Sequence, residues 1–184
     1  MPRDWDAYYR ADPGAREPAF VVRAYEFLIP EGGVLDLAGG DGRNAFFLAR
    51  RGRRVTLLDK SPVAVSRVRE VAWRDGTAVR ALQIDLEENP PVLPPGPFAG
   101  VVVSYFVSRP LVARLEALLV AGGLVLIEGF NRCEALRRGR PGSPYYWDSG
   151  ELTVPPRGLE LVAAGEGWQG AACRSWAVWR RAGL

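Results

Sequence analysis

The sequence predicts an α/β fold, namely a doubly wound, mostly parallel sheet with helices on both faces and a C-terminal antiparallel hairpin. Segments of helical periodicity alternate with short apolar segments along most of the chain. The apolar segments are continuous rather than alternating, which is typical of strands covered on both faces. Two strand-like segments separated by a turn region close the chain, and they predict the hairpin.

Three segments carry their apolar residues along one helical face, and each is predicted to pack that face on the sheet. They cover residues 20–28, 64–72 and 111–119. Pro62 and Pro110 stand where the first turns of the second and third helices are expected, a position at which the missing N–H costs nothing. Gly122 and Gly123 are predicted to end the third helix and to turn the chain back into the sheet.

The predicted strands cover residues 34–37, 55–59, 79–84, 101–103 and 124–127, and the hairpin covers 159–163 and 175–179. The proline-rich stretch 89–97 is expected to replace one crossover helix with an extended loop. The stretch 131–150 is too long and too aromatic for a simple connection, so we expect it to be a substrate loop. We expect one domain over residues 1–184, with residues 1–30 as an N-terminal lid or helix segment.

The sequence contains no histidine. This absence removes the commonest general base and metal ligand, and with them every nucleophile arrangement that depends on histidine. We expect no metal site, because Cys133 and Cys173 do not form a close pair. The 24 basic residues include a single lysine, Lys60, and are interspersed with 21 acidic residues. We therefore expect a solvated, arginine-rich surface, and nucleic acid stays open as a less favoured partner.

No apolar run approaches the roughly 18 residues that a membrane-spanning helix needs, and the first residues lack the apolar core of a signal peptide. We therefore expect a cytoplasmic protein without a membrane partner. No pattern in the sequence predicts an oligomeric state.

The segment 34–44 combines a strand ending in an acid, a glycine turn and the start of a helix. Glycines at such a turn let the backbone approach a ligand that a Cβ would repel. The stretch from Gly40 to Ala45 also fits the dinucleotide fingerprint G-x-G-x-x-A, so an NAD-binding protein is an alternative. Asp36 argues against it, because this carboxylate would repel a pyrophosphate and suits a ligand with a positive amino group. The histidine or Tyr-x-x-x-Lys pair typical of hydride transfer is also missing from the sequence.

Two further acids follow predicted strands. Asp59 closes the second strand, where a carboxylate can accept hydrogen bonds from both ribose hydroxyls of an adenosine. Asp85 closes the third, where it can accept from an adenine amino group while the Leu86 N–H faces a ring nitrogen. A single acid after a strand is often a helix cap or a surface charge. Three acids at the carboxyl ends of neighbouring strands predict one ligand site.

These residues resemble the class I S-adenosylmethionine (SAM)-dependent methyltransferases. The stretch from Asp36 to Gly42 is similar to the first motif of that family, D-x-G-x-G-x-G, with Ala38 in place of the first glycine. The turn at Gly122 and Gly123 is similar to the family's entry into the fifth strand, and the terminal hairpin is its usual ending. A narrower resemblance, to the tellurite-resistance-type small-molecule branch, rests on Trp5 to Tyr9, on Gly42 to Ala45 and on the short chain.

The resemblance implies a class I methyltransferase-like Rossmann variant that binds SAM. It also implies a set of cofactor-binding positions along the carboxyl edge of the sheet and in the N-terminal segment. These positions are Tyr9, Asp36, Ala38, Gly39, Gly40, Gly42, Asn44, Asp59, Lys60, Ser61, Asp85, Leu86, Ser104 and Tyr105.

Methyl transfer from a sulfonium mainly requires alignment and desolvation of the reactants, so it needs no histidine. An acceptor that is already anionic or soft, such as a thiolate or a metalloid oxyanion, needs no general base, and we therefore expect a small acceptor of this kind. We expect Tyr105, Glu128 and Tyr146 to handle protons, with structural hydrogen bonding as the alternative. The expected pocket walls are Ser104, Tyr105, Phe106, Glu128, Phe130, Tyr145, Tyr146 and Trp147.

Two other classes of function stay open. One is a nucleic-acid or protein methyltransferase, although the fourth strand ends Ser104-Tyr105-Phe106-Val107 and not in the N-P-P-Y signature of amino-methylating DNA enzymes. The other is a non-catalytic protein that binds SAM or NAD.

Overall fold

The computed structural model describes residues 4–11, 16–88 and 90–183, and its strands form one seven-stranded sheet. The strands are β1 (Val34–Leu37), β2 (Val55–Asp59), β3 (Val79–Gln83), β4 (Phe98–Ser104), β5 (Leu119–Phe130), β6 (Leu159–Gln169) and β7 (Ala172–Arg181). The α-helices are α1 (Trp5–Ala11), α2 (Phe20–Tyr25), α3 (Arg43–Ala49), α4 (Pro62–Arg74), α5 (Arg109–Val112) and α6 (Arg132–Arg137). Short 3₁₀ segments cover Glu26–Leu28, Leu115–Leu118 and Glu151–Thr153.

The sheet has the strand order β3-β2-β1-β4-β5-β7-β6. The first five strands pair in parallel, whereas β7 pairs antiparallel with both β5 and β6. The strand order reverses between β1 and β4, and ligands of open α/β sheets bind outside the carboxyl ends of the strands at such a point. The predicted fold class, a doubly wound and mostly parallel sheet with a terminal hairpin, is therefore confirmed.

Successive residues of the central strands face two separate apolar layers. Val102 of β4 packs with residues of α2, α3 and α4 on one face, and Val101 packs with residues of α5 and the late loop on the other. All seven residues of β4 are buried. This double burial explains why the predicted strands are continuously apolar instead of alternating.

The helix predicted over residues 111–119 is wrong in its second half. The structure has a single short helix, α5, then a 3₁₀ segment, and Leu119 already begins β5, where it pairs with Phe98. Gly122 and Gly123 accordingly lie inside β5 and do not end a helix. Gly122 has φ +74°, and a register shift between Phe98 and Gly100 absorbs the extra residues. Helical periodicity was misleading here because tertiary pairing of Leu119 overrides it.

The late stretch 131–150 is partly structured, because α6 occupies its first part. Trp147 then forms a parallel bridge with Asn131, and its side chain is 1% exposed in the apolar layer beside α5. In the proline-rich stretch, the described residues 90–97 contain no helix, as predicted. Within the described ranges, no helix is long and apolar enough to cross a membrane.

Candidate functional site

Three predicted acids lie along the same edge of the sheet. Leu37 of β1 pairs with Leu58 of β2, so that Asp59 is the next residue towards the carboxyl edge. Asp59 in turn pairs with Gln83, the last residue of β3, and Asp85 follows two positions later. Asp36 lies one residue deeper, within β1. The structure thus brings the three acids to the edge where the sequence places them.

The segment after β1 forms a turn with left-handed backbone at several positions. Ala38 has φ +52°, Gly40 has φ +58° and Gly42 has φ +83°. A Cβ at Gly39 would lie 2.6 Å from the Leu57 side chain and 2.9 Å from the Asp36 carboxylate, so this position accepts only glycine without movement. Ala38 is one of two described non-glycine residues with positive φ. The departure from the family motif at Ala38 therefore costs backbone strain.

The Asp36 carboxylate is fully buried at the foot of this turn. Among the described residues, neither of its oxygens accepts a hydrogen bond of ordinary geometry, although the Asn44 side chain and the Ala45 N–H lie close enough to lower its pKa. Burial raises the pKa of Asp36 to about 7, with the charge of nearby Arg43 opposing the rise. A buried carboxylate without a partner is costly, and a cationic ligand group would compensate for that cost.

Asp59 fixes the glycine turn from β2. One carboxylate oxygen accepts from the Gly40 N–H at 2.8 Å, and the other accepts from the Ser61 N–H at 2.9 Å. Asp59 is 6% exposed, and burial raises its pKa. Each oxygen keeps a second lone pair, so the carboxylate can still accept from a ligand hydroxyl.

Helix α1 lies over the glycine turn. A Cβ built on Gly40 would lie 2.3 Å from the Tyr9 hydroxyl, which shows how closely Tyr9 covers this position. The Ser61 hydroxyl donates to Asp6 of α1 at 2.5 Å. Burial, reinforced by the Asp59 and Asp41 charges, holds the pKa of Tyr9 above its usual range, so this hydroxyl is a donor. The edge predicted to hold the adenosine is therefore covered by protein at Gly40.

Lys60, Ser61, Asp85 and Leu86 complete the outer part of this edge. Ser61 caps α4 by accepting from the Ala64 N–H at 3.2 Å. The Lys60 ammonium donates to Glu87, whose N–H in turn donates to Asp85 at 2.9 Å. Leu86 is 4% exposed. The four residues are adjacent, as predicted, and three of them already have protein partners.

Asn44 and Ser104 join α3 to the end of β4. The Asn44 amide donates to the Ser104 hydroxyl at 2.8 Å, and its carbonyl oxygen accepts from the Ala19 N–H at 2.9 Å. Asn44 is 1% exposed. Both predicted residues therefore hold the N-terminal segment against the sheet beside the glycine turn.

A cavity of about 530 Å³ opens next to these residues, between the N-terminal segment, the ends of β4 and β5, and the β6–β7 hairpin. Tyr105 and Glu128 form part of its lining. The Tyr105 hydroxyl donates to one Glu128 oxygen at 2.6 Å, and the Val21 N–H donates to the other at 2.9 Å. Glu128, which is 1% exposed, thereby caps the first turn of α2 from β5.

Tyr105 has an unusual backbone and surroundings. Its φ is +58°, a left-handed conformation that is strained for an aromatic residue and that often marks a functional position. Burial and the Glu128 charge hold the pKa of Tyr105 above its usual range, so the hydroxyl donates and does not act as a base. The ring contacts Phe130 edge-to-face, with centroids 4.9 Å apart.

The other predicted wall residues of the late loop lie elsewhere. Trp147 is buried in the opposite apolar layer, and Tyr145 is exposed. Tyr146 is buried, and its backbone carbonyl accepts a hydrogen bond from Arg109 at 3.4 Å. In the part of the chain that the structure describes, the cavity lining includes none of these three residues. Tyr146 is therefore not brought together with Tyr105 and Glu128, because the tight Asn131–Trp147 bridge directs this stretch into the fold.

The sequence analysis missed the positive lining of the cavity. Arg43 and Arg174 both approach the Tyr105 ring, with guanidinium carbons 4.8 and 5.9 Å from its centroid. Arg16 and Arg23 line the cavity from the N-terminal segment. The high arginine content was visible, but no local motif distinguishes these arginines from those on the surface. Within the described residues, no group of three or more Cys, Asp or Glu side chains is arranged to hold a metal ion.

The part of the chain that forms this edge of the sheet is similar to known proteins. Residues 34–123, which run from β1 through the glycine turn to the start of β5, match a family model described as a methyltransferase domain. A search among curated proteins gives no significant match.

Solved structures share the architecture at low sequence identity. A protein studied for the conversion of a disulfide bond into a thioacetal group during echinomycin biosynthesis superposes with a TM-score of 0.75 at 19% identity, covering 97% of this chain and 90% of that one. TehB from Haemophilus influenzae gives 0.72 at 17% identity, covering 96% and 67%. A SAM-dependent methyltransferase from Methanosarcina mazei gives 0.69 at 14% identity, covering 92% and 100%.

These structural likenesses establish the fold, which is that of the class I methyltransferases. The methyltransferase-domain match over residues 34–123, together with this fold, bears out the predicted SAM-dependent methyltransferase with SAM as its cofactor.

Proposed function

We propose that the chain transfers a methyl group from SAM to a small-molecule acceptor with a soft nucleophile, such as a thiol or a metalloid oxyanion. The observation that carries the proposal is the fully buried Asp36 carboxylate, which accepts no hydrogen bond of ordinary geometry from the described residues and lies beside a glycine turn at the carboxyl edge of the sheet. Bound SAM supplies a methyl group on a cationic sulfonium, together with a free amino group and an adenosine.

Asp36 is the residue proposed to hold the ligand's amino group, because a cation compensates for its burial. Asp59 is proposed to accept from the ribose hydroxyls with its second lone pairs, and Asp85 with the Leu86 N–H is proposed to face the adenine. Gly39, Gly40 and Gly42, with Ala38, Asn44, Lys60, Ser61 and Ser104, form the proposed cradle around them. The residues present therefore fit the cofactor in charge and in backbone shape.

Helix α1, within the predicted lid segment 1–30, is proposed to cover the cofactor. Tyr9 lies directly on Gly40, and Asp6 holds Ser61. Ligand binding at the glycine turn requires the Tyr9 hydroxyl to leave Gly40. Tyr9 is then proposed to close over the ligand and to keep water out of the cavity.

Tyr105 and Glu128 are proposed to shape the acceptor side of the site. Both Glu128 oxygens already accept hydrogen bonds, so Glu128 acts as a positioning residue for Tyr105 and α2. The protonated Tyr105 hydroxyl cannot serve as a base at neutral pH, which favours an acceptor that needs none. A role of Tyr146 in proton handling stays a prediction from the sequence, as does a role of residues 131–150 as a substrate loop.

Support for a soft acceptor also comes from the fold comparisons. The relative studied in echinomycin biosynthesis is described by chemistry at sulfur, and TehB has the same fold at a similar level of identity. The narrower resemblance to the tellurite-resistance-type small-molecule branch, which rests on the sequence, is part of the same proposal.

The cofactor half of the proposal is tested by titrating SAM into the Asp59→Ala variant in a calorimeter. We expect no measurable binding while circular dichroism shows an intact fold. Asp75→Ala is the matched control, because Asp75 is an exposed carboxylate at the end of α4, paired with Arg74. Wild-type affinity in Asp59→Ala would overturn the role of Asp59.

The acceptor half is tested with a panel of small thiols, metalloid oxyanions, amines, alcohols, RNA and unfolded protein, each assayed for the demethylated cofactor. We expect turnover with members of the first two groups. Turnover confined to RNA or protein would instead favour the second class of methyltransferase.

A further inference from the structure

The cavity beside Tyr105 has an excess of positive charge in its lining. Arg43 reaches it from the start of α3, and Arg174 reaches it from β7. Both side chains are partly buried, and both guanidinium groups lie over the Tyr105 ring. Two cations held close together in a concave site attract an anion more strongly than the same charges on an open surface.

Within the part of the chain that the structure describes, neither arginine forms an ion pair. Among residues 4–11, 16–88 and 90–183, no carboxylate lies within 4.0 Å of either guanidinium group, although ion pairs of that length form elsewhere. Of the described residues, two acids line the cavity: Glu17 lies 3.6 Å from Arg23, and both Glu128 oxygens accept from Tyr105 and Val21. Asp36 is close enough to Arg43 for their charges to interact, but its oxygens accept no hydrogen bond from it.

Arg174 provides an independent observation. One terminal nitrogen donates to the Gln169 carbonyl at 2.8 Å, which fixes the side chain at the β6–β7 turn. Its Nε–H is buried and has no partner among the described residues. A buried guanidinium donor left unpaired is costly, and an oxyanion is the acceptor that suits its planar donors best.

We propose that the methyl acceptor is itself anionic, and that Arg43 and Arg174 bind its carboxylate or equivalent oxyanion in the cavity beside Tyr105. This inference rests on the proposed function, because it names the chemical class of the acceptor for the same site. The anionic group is the recognition group and is separate from the nucleophile. Fixing it at the two arginines orients the rest of the acceptor relative to the cofactor edge of the sheet.

The test uses three thiols of equal length that differ only in the charge at the far end: 3-mercaptopropionate, 3-mercaptopropanol and 3-aminopropanethiol. Their dissociation constants are measured by ligand-observed NMR, with the protein alone and with S-adenosylhomocysteine present. We expect the anionic thiol to bind at least about tenfold more tightly than the other two. Arg43→Gln and Arg174→Gln should each remove most of that preference.

Arg180→Gln is the matched control. Arg180 is an exposed arginine on the same strand as Arg174, but it pairs with Leu124 at the opposite end of the β5–β7 pairing. The Arg180→Gln variant loses the same charge and should keep the full preference for the anionic thiol. Equal binding of the three thiols, no binding of the anionic thiol, or an unchanged preference in Arg43→Gln and Arg174→Gln would overturn the inference. Binding of S-adenosylhomocysteine is scored separately, so that its absence counts against the proposed function alone.

Discussion

Asp36→Asn is expected to change stability and cofactor binding in opposite directions. The Asp36 carboxyl is fully buried without a partner, and burial raises its pKa from 3.8 to about 7. Between these two values the folded state holds a proton that the unfolded chain has lost, so stability falls as pH rises through this interval. The rise corresponds to about 4 kcal/mol of folding free energy, lost fully above about pH 7.

The asparagine variant isolates this effect. Its amide is also left without partners, but that cost does not vary with pH. The free energy of unfolding is measured by urea titration followed by tryptophan fluorescence, for both proteins between about pH 4 and about pH 8. Relative to the variant, the wild type should lose up to about 4 kcal/mol across this range.

The same substitution should weaken SAM binding about 10- to 100-fold near pH 7.5, because it removes a charged partner for the ligand's amino group. A variant that is more stable at high pH and binds the cofactor less tightly is the expected combination. Parallel pH profiles of the two proteins would refute the reasoning, since they would show that Asp36 has an ordinary pKa or a partner.

Three further substitutions test single parts of the structure. Ala38→Gly should raise the free energy of unfolding by about 0.5–1 kcal/mol in urea titrations, since the relief of strain at a φ of +52° exceeds the added entropy of the unfolded chain. A loss of stability would show that Ala38 is not strained. Glu134→Gln should flatten the fall of the melting temperature at acid pH, because Arg137 above all lowers the pKa of the buried Glu134 to about 2. The contribution of Glu134 to stability is therefore present above about pH 4.5 and is lost as the pH falls towards 2. A wild-type melting temperature that stays constant across that interval would argue against the pairing. Tyr9→Ala should speed the dissociation of SAM in stopped-flow measurements, because it removes the side chain that covers Gly40, and an unchanged rate would show that α1 is not a cover.

The sequence was sufficient for the fold wherever local pattern and tertiary packing agree. Val34–Leu37 and Val55–Asp59 match their predicted bounds because both strands are buried on both faces and carry no competing helical pattern. The helix prediction for residues 111–119 was wrong because the same spacing of leucines and valines also fits a short helix followed by the first residue of a strand. Nothing within that window indicates that Leu119 pairs with Phe98.

For the candidate site, the edge with the three acids was predictable and the cavity beside Tyr105 was not. Asp36, Asp59 and Asp85 lie in or directly after three strands that are neighbours in the sheet, so their convergence follows from the topology. Arg43 and Arg174 meet at Tyr105 only through the pairing of β5 with β7, which joins residues far apart in the chain. Trp147 shows the reverse error, because an aromatic residue in a long loop became part of the core.

The central claim, that the glycine turn between Asp36 and Asp59 is where SAM binds, is tested most directly by calorimetric titration of a matched pair. Gly40 and Gly52 both have left-handed backbone, with φ of +58° and +82°, but only Gly40 lies at the proposed site, whereas a Cβ at Gly52 would meet nothing within 4 Å. SAM should bind to Gly52→Ala with wild-type affinity and to Gly40→Ala at least about tenfold more weakly. Equal affinity of the two variants, or no binding of SAM to the wild type, would contradict the account.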